Sequence, residues 1–174
     1  ANNHGAVYQK LCVPMTAQYP QASVVLDKHI YCDNANMFFV QLNEINETNL
    51  YALAAIINST IFNTFARSIA NPQQGGYYKF NKQFLDPVPV PKDELLNGSR
   101  RITRLANIAR QIERTHEQLR NAIGGQRSGL EIALRNLWSE LDQLCDRLYG
   151  LTREEKALVY QTLRFDRNPY GQED

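Results

Sequence analysis

The chain has 174 residues, 19 basic and 18 acidic side chains, a net charge of +1, and apolar and charged fractions of 43% and 21%. That balance suits one globular domain, or a small domain with a helical appendage, large enough to bury a core. No run of 18 or more apolar residues exists, so no membrane partner is expected, and the opening ANNHGAVYQK has neither a signal-peptide pattern nor a starting Met, which points to a fragment of something larger.

Residues 7–43 carry short β-rich runs, AVYQKLCV, ASVVLDKHIYC and NMFFVQL, separated by Pro14, Pro20 and the turn cluster Asp33-Asn34-Ala35-Asn36. Three or more antiparallel strands in a small sheet are expected. Cys12, Cys32 and Cys145 are odd in number and far apart, which argues against a disulfide framework and for a reducing, cytoplasmic setting. His29 and Cys32 have the spacing of half a zinc site, or are a strand residue and a buried thiol. No second ligand pair follows, and no metal is expected. The three glycosylation sequons, at Asn46, Asn58 and Asn97, mean nothing without a signal peptide.

From Thr48 the spacing turns helical. In TNLYALAAIINSTIFNTFARSIA, Leu50, Leu53, Ile57 and Ile61 share a side, and Ala54, Ile56, Phe62 and Phe65 widen it. One helix packed under the sheet is predicted, with Thr48 or Asn49 as its N-cap. Then comes NPQQGGYYKFNKQF, whose glycines permit positive φ and close backbone approach beside glutamines, tyrosines and lysines. Such side chains suit nucleic acid: Gln pairs with adenine, Lys and Arg meet phosphate or guanine, and Tyr stacks or meets a thymine methyl. A hairpin or Ω-loop with aromatic packing and solvated lysines is the alternative.

Beyond the Val-Pro-Val-Pro exit, Leu105, Ile108, Ile112, Thr115, Leu119 and Ala122 keep alternating helical spacing. After a six-residue glycine loop, GGQRSG, so do Leu130, Leu134, Leu137, Leu141, Leu144, Leu148 and Leu151. An antiparallel hairpin with a coiled-coil-type leucine seam is predicted, extended by Trp138. Gly150 reads as its stop, and Thr152-x-x-Glu155 as the capping box of a short last helix. Charge is uneven. Residues 1–97 hold 6 basic and 7 acidic groups, residues 98–135 hold 8 and 3, and residues 136–174 hold 5 and 8, so the net charges are −1, +5 and −3. All eight cations of the middle segment are arginines, suited either to a polyanion or to pairing with acidic neighbours.

Catalytic signatures are absent: no G-x-S-x-G elbow, glycine-rich phosphate loop with lysine, H-E-x-x-H or D-x-D loop occurs. Asn168-Pro169-Tyr170 lacks the second proline of the N-P-P-Y motif and a preceding strand. No catalytic residue is expected in this chain.

Two segments carry a resemblance. LYALAAIINSTIFNTFARSIANPQQGGYYKFNKQFLDPVPVP has a helix of the type yl-aiLNS (Leu50, Tyr51, Ile56, Ile57, Asn58, Ser59). A glycine loop with Gly75 and Gly76 follows, then Lys79, Phe80 and Leu85, and an exit Val88-Pro89-Val90-Pro91. LDQLCDRLYGLTREEKALV matches an lD-x-x-(V/L)-x-x-LYGLt-x-E-E segment. Together, in the right order, they resemble the TaqI-like C-terminal specificity domain of type IIG restriction enzymes and their N6-adenine methyltransferase relatives.

The resemblance implies an α+β fold: a small antiparallel-sheet target-recognition domain with a packed helix over 1–97, then a helical hairpin and short C-terminal helix over 98–174 as spacer and docking region. It implies double-stranded DNA as partner, read from the major groove, and a methyltransferase catalytic domain in the same polypeptide or complex. S-adenosylmethionine is expected in that catalytic domain and no cofactor in this chain; the parent would be an adenine-specific DNA methyltransferase, a type II endonuclease, or both. From chemistry and position, the expected DNA contacts are Arg67, Gln73, Gln74, Gly75, Gly76, Tyr77, Tyr78, Lys79, Asn81 and Lys82. A protein-interaction module that uses the leucine-rich hairpin without specific DNA binding is the alternative.

Overall fold

The computed structural model describes residues 9–30, 37–40 and 46–162. Four short strands open it: β1 (Lys10–Pro14), β2 (Thr16–Ala17), β3 (Ser23–Val25) and β4 (Met37–Val40). β1 lies between β3 and β4 in antiparallel ladders, with Leu11 opposite both Val24 and Val40. Every residue from Lys10 to Val13 is buried, as a strand covered on both faces requires. The Asp33–Asn36 turn cluster and Cys32 lie outside the described residues. Cys12 is disulfide-bonded, contrary to the expectation of reduced thiols, whereas Cys145 is a free, buried thiol. Among the described residues no cluster of His, Cys, Asp and Glu could hold a metal ion.

The single long helix predicted from Thr48 is two helices, α1 (Glu47–Ile57) and α2 (Thr60–Ile69). Asn46, not Thr48 or Asn49, caps α1: its Oδ1 accepts from Asn49 N at 3.0 Å. The break falls at Asn58-Ser59, two residue types whose side chains compete for backbone partners. Ser59 Oγ donates to Ile56 O at 2.6 Å and accepts from Phe62 N, ending one helix and capping the next. Asn58 turns outward to the sheet and exchanges two hydrogen bonds with the Ala22 backbone just before β3. A third anchor is remote: the Asp142 carboxylate accepts from Thr60 N at 2.8 Å and from its hydroxyl at 2.7 Å, a negative charge at the N-terminus of α2.

The chain then forms β5 (Asn71–Pro72), a single 3-10 turn (Gln74–Gly76), β6 (Tyr78–Lys79), α3 (Lys82–Leu85) and α4 (Lys92–Asn97). β6 runs antiparallel between β2 and β5, making a second three-stranded sheet. The proline exit is fixed by the buried Val88 and by Tyr149, whose hydroxyl donates to Pro89 O at 2.8 Å. Gly98, at φ 63°, stops α4, and Ser99 caps α5 (Arg100–Leu119).

α6 (Gly124–Leu148) begins earlier than the sequence suggests. The connection is Arg120–Ile123, and the glycine run 124–129 is already helical rather than a loop. Only Gly124 there has a left-handed φ, and an Arg127–Glu131 ion pair one turn apart adds about 0.2–0.5 kcal/mol to the exposed first turns, less than the weak helix propensity of glycine takes away, so packing of the rest of α6 must carry them. The hairpin is antiparallel: Arg104 near the start of α5 meets Glu140 toward the end of α6, while Gln111 and Thr115, further along α5, line one recess with Ala133 and Leu137, nearer the start of α6. Of the predicted leucines, Leu134, Leu141 and Leu144 are buried in a core that also takes Leu105, Ile108, Ile112 and Leu119, and Leu130, Leu137 and Leu148 are partly buried against it, so the helical spacing is seen as packing within this chain's own core. Gly150 takes φ 68° and Leu151 N donates to Asp146 O, closing α6 with a Schellman-type bond. The Thr152–Glu155 capping box opens α7 (Arg153–Thr162).

α1 is the axis of this α+β fold. All residues from Asn49 to Ile57 are buried, because the first sheet covers one side and α5 packs most extensively on another. One core therefore runs from Leu11 through α1 to Leu141.

Candidate nucleic-acid interface

β5 and β6 form a tight ribbon. Pro72 faces Tyr78, Gln73 N donates to Tyr77 O at 2.7 Å, and Gln74-Gly75-Gly76 closes the loop. Gly75 and Gly76 both lie in the left-handed region, at φ 74° and 75°, which is why the turn needs two glycines. Every residue from Asn71 to Tyr77 is exposed.

Alternation along β6 sorts the predicted residues into two faces. Tyr78 and Phe80 point inward, their rings 6.1 Å apart, and Phe80 is fully buried. Arg67 of α2 lies over the Tyr78 ring, its guanidinium carbon 4.7 Å from the centroid, and Nη2 donates to the Tyr78 hydroxyl at 3.3 Å. This pair fastens the ribbon to α2. Tyr77 and Lys79 point the other way, into solvent.

Gln73, Gln74, Tyr77 and Lys79 thus gather on an open surface, while Arg67 and Tyr78 sit beneath it. Asn81 is half-buried, its carbonyl accepts from Leu85 N as α3 begins, and its Oδ1 is buried with no hydrogen-bond partner. Lys82 opens α3, and its side chain lies outside the described residues. The second sheet adds two residues that the sequence pattern did not single out. Lys79 is paired with Thr16 of β2 on one side and Asn71 of β5 on the other, and all three are exposed. Asn71 adjoined the conspicuous loop, but nothing in the sequence signals that Thr16 lies across from Lys79.

The arginines of the hairpin divide. Arg101, Arg104, Arg110 and Arg127 pair with Glu94, Glu140, Glu47 and Glu131 respectively, so for these four the acidic-neighbour alternative describes what is seen. Arg110 also covers the Tyr51 ring at 4.5 Å, and the Tyr51 hydroxyl donates to Glu113 at 2.7 Å. Burial and that carboxylate push the Tyr51 phenol up to about 12. The buried leucines of α6 belong to the chain's own core, so a partner helix seeking that seam would have to displace native contacts.

A family model for the TaqI-like C-terminal specificity domain matches residues 4–90, which hold both sheets, α1, α2 and the ribbon. No curated protein matches the chain.

Proposed function

The chain belongs to the family of TaqI-like C-terminal specificity domains, and from that premise we propose that it reads duplex DNA sequence for a restriction-modification enzyme, with the β5–β6 ribbon as the element that enters the major groove. The observation that carries this is the ribbon itself: beyond the pairing with β2 it has two strands, its tip from Asn71 to Tyr77 is exposed throughout, and it presents Gln73, Gln74 and Tyr77 there with Lys79 exposed beside them. A major groove about 12 Å wide admits a two-stranded β-ribbon, and glutamine can pair in bidentate fashion with adenine there. Lys79 supplies charge to the phosphates, which adds affinity without sequence preference. Arg67 and Tyr78 hold the ribbon at a fixed angle and so position the readers.

In this reading residues 1–97 are the recognition unit and the α5–α6 hairpin is the spacer that docks a catalytic methyltransferase part, in the same polypeptide or a complex. The target adenine turns out of the duplex into that part. S-adenosylmethionine, the methyl donor, belongs there too. A DNA partner implies the cytoplasm, a reducing compartment in which a disulfide at Cys12 would tend to open. No helix among the described residues is long and apolar enough to cross a membrane.

The test is a fluorescence-anisotropy titration with a randomised duplex pool at low and moderate salt, with the bound fraction sequenced, repeated with the catalytic part present. Steep salt dependence and an enriched motif are expected. Binding without enrichment, with the catalytic part present, would refute sequence reading.

A further inference from the structure

We propose that Asn71 and Thr16 extend the DNA-reading surface beyond the ribbon tip: Asn71 reads a base edge about two base pairs from the one met by Gln73, and Thr16 contacts a phosphate on the groove wall. This rests on the reading of the ribbon as a major-groove element, and it comes from the register of the second sheet, not from the loop.

Residues directly opposite in antiparallel strands point to the same face. Thr16 on β2, Lys79 on β6 and Asn71 on β5 are therefore side by side, and all three are exposed. Neighbouring strands stand about 4.8 Å apart, so Thr16 stands about 10 Å from Asn71, far enough for Thr16 to meet a phosphate of one groove wall while Asn71 lies over base edges, and the long Lys79 side chain between them can reach the backbone. Gln73 and Tyr77, joined across the ribbon, make a parallel row two residues nearer the tip on the same face. Two residues of strand advance about 6.8 Å, which is about two base-pair steps of 3.4 Å each.

The chemistry of each position follows from where its strand sits. β5 and β6 are the ribbon, so Asn71 lies over base edges, where its carboxamide can accept from adenine N6 and donate to N7. β2 flanks β6 on the side away from β5, where a duplex holding the ribbon offers backbone rather than bases. A threonine hydroxyl suits a phosphate oxygen and carries no sequence information.

Binding-site selection with the complete protein, comparing wild type with Asn71→Ala, Asn71→Asp, Thr16→Val and Gln73→Ala, tests the proposal. Asn71→Ala is expected to relax preference at one position by at least about fivefold, two base pairs from the position that Gln73→Ala relaxes. Asn71→Asp keeps the shape of the side chain and replaces its donor by a carboxylate, so preference at that position should move from adenine toward cytosine. Thr16→Val should weaken binding to every sequence alike. An unaltered motif in both Asn71 variants, with Gln73→Ala still relaxing one position, overturns the proposal and leaves the ribbon reading intact. Thr16→Val binding at wild-type strength overturns the phosphate contact. Failure of the wild type itself to select a motif would instead overturn the ribbon reading on which the row depends.

Discussion

Asn58 and Ala22, 36 residues apart, exchange two hydrogen bonds: Asn58 Nδ2 donates to Ala22 O at 2.8 Å, and Ala22 N donates to Asn58 Oδ1 at 2.7 Å. One side chain thereby replaces a missing ladder partner for the backbone that leads into β3. Asn58→Ala should leave both Ala22 groups unmatched and cost about 2–4 kcal/mol. Urea denaturation reads this directly, and an unchanged midpoint would deny the contact any structural role.

Asp142 should matter comparably to α2. It accepts from the Thr60 amide and hydroxyl in a buried setting, so Asp142→Ala is expected to cost about 2–4 kcal/mol and Asp142→Asn less, because an amide oxygen can still accept one of the two bonds. Thermal melts that rank the two variants in the opposite order would contradict this account of the helix cap.

Leu141 is 1% exposed in the seam between the hairpin and the rest of the core. Leu141→Asp buries a charge with no partner and should cost about 4 kcal/mol or more, with loss of helical circular dichroism on mild heating. A melt that matches wild type would mean that the seam is not a core.

On the ribbon, Lys79→Ala should weaken DNA binding uniformly and lower the salt slope by about one, whereas Gln73→Ala should relax preference at a single position by about 1–3 kcal/mol. Competition titrations against matched and mismatched duplexes at several salt concentrations separate the two effects. Identical behaviour of the two variants would remove the distinction between charge and readout.

His116 lines a recess with Glu113, Glu117, Arg120 and Trp138, and burial, aided by the Arg120 charge, holds its pKa below the usual 6.5. The unfolded chain therefore takes up this proton at higher pH than the folded one. The stability contribution is present above about pH 6.5 and is lost as pH falls through the folded-state value. His116→Gln should flatten the fall in urea midpoint between about pH 7.5 and pH 5. An equal slope in the variant would assign that fall to other groups.

What the sequence made legible was whatever follows from local periodicity. The leucine seam, the Gly150 stop, the Thr152–Glu155 box and the matched family segment are each written in residues close together. What it concealed depended on partners far away. The Asn58-Ser59 break looks like a tolerable interruption in an apolar helix until Ala22 and Asp142 supply the bonds that make it favourable. The GGQRSG run reads as a loop because glycine propensity outweighs a single Arg127–Glu131 pair in any local sum. At the candidate interface, Gln73, Gln74, Tyr77 and Lys79 stood out by chemistry alone and prove to share a surface. Arg67 and Tyr78 stood out equally and prove to grip each other, a distinction fixed only by strand alternation against α2.

The contrast between α1 and the ribbon has a consequence for how such a protein can diverge. Asn49 to Ile57 are buried on every side, so almost any exchange there disturbs the packing of both the sheet and the hairpin. Asn71 to Tyr77 contribute nothing to that packing, and only the two glycines of the turn are constrained by backbone geometry. Mutational drift can therefore rewrite five of these seven positions while leaving the interior unaltered. A lineage can try new side chains on this surface without passing through unfolded ancestors, because the positions that change are not the positions that hold the fold.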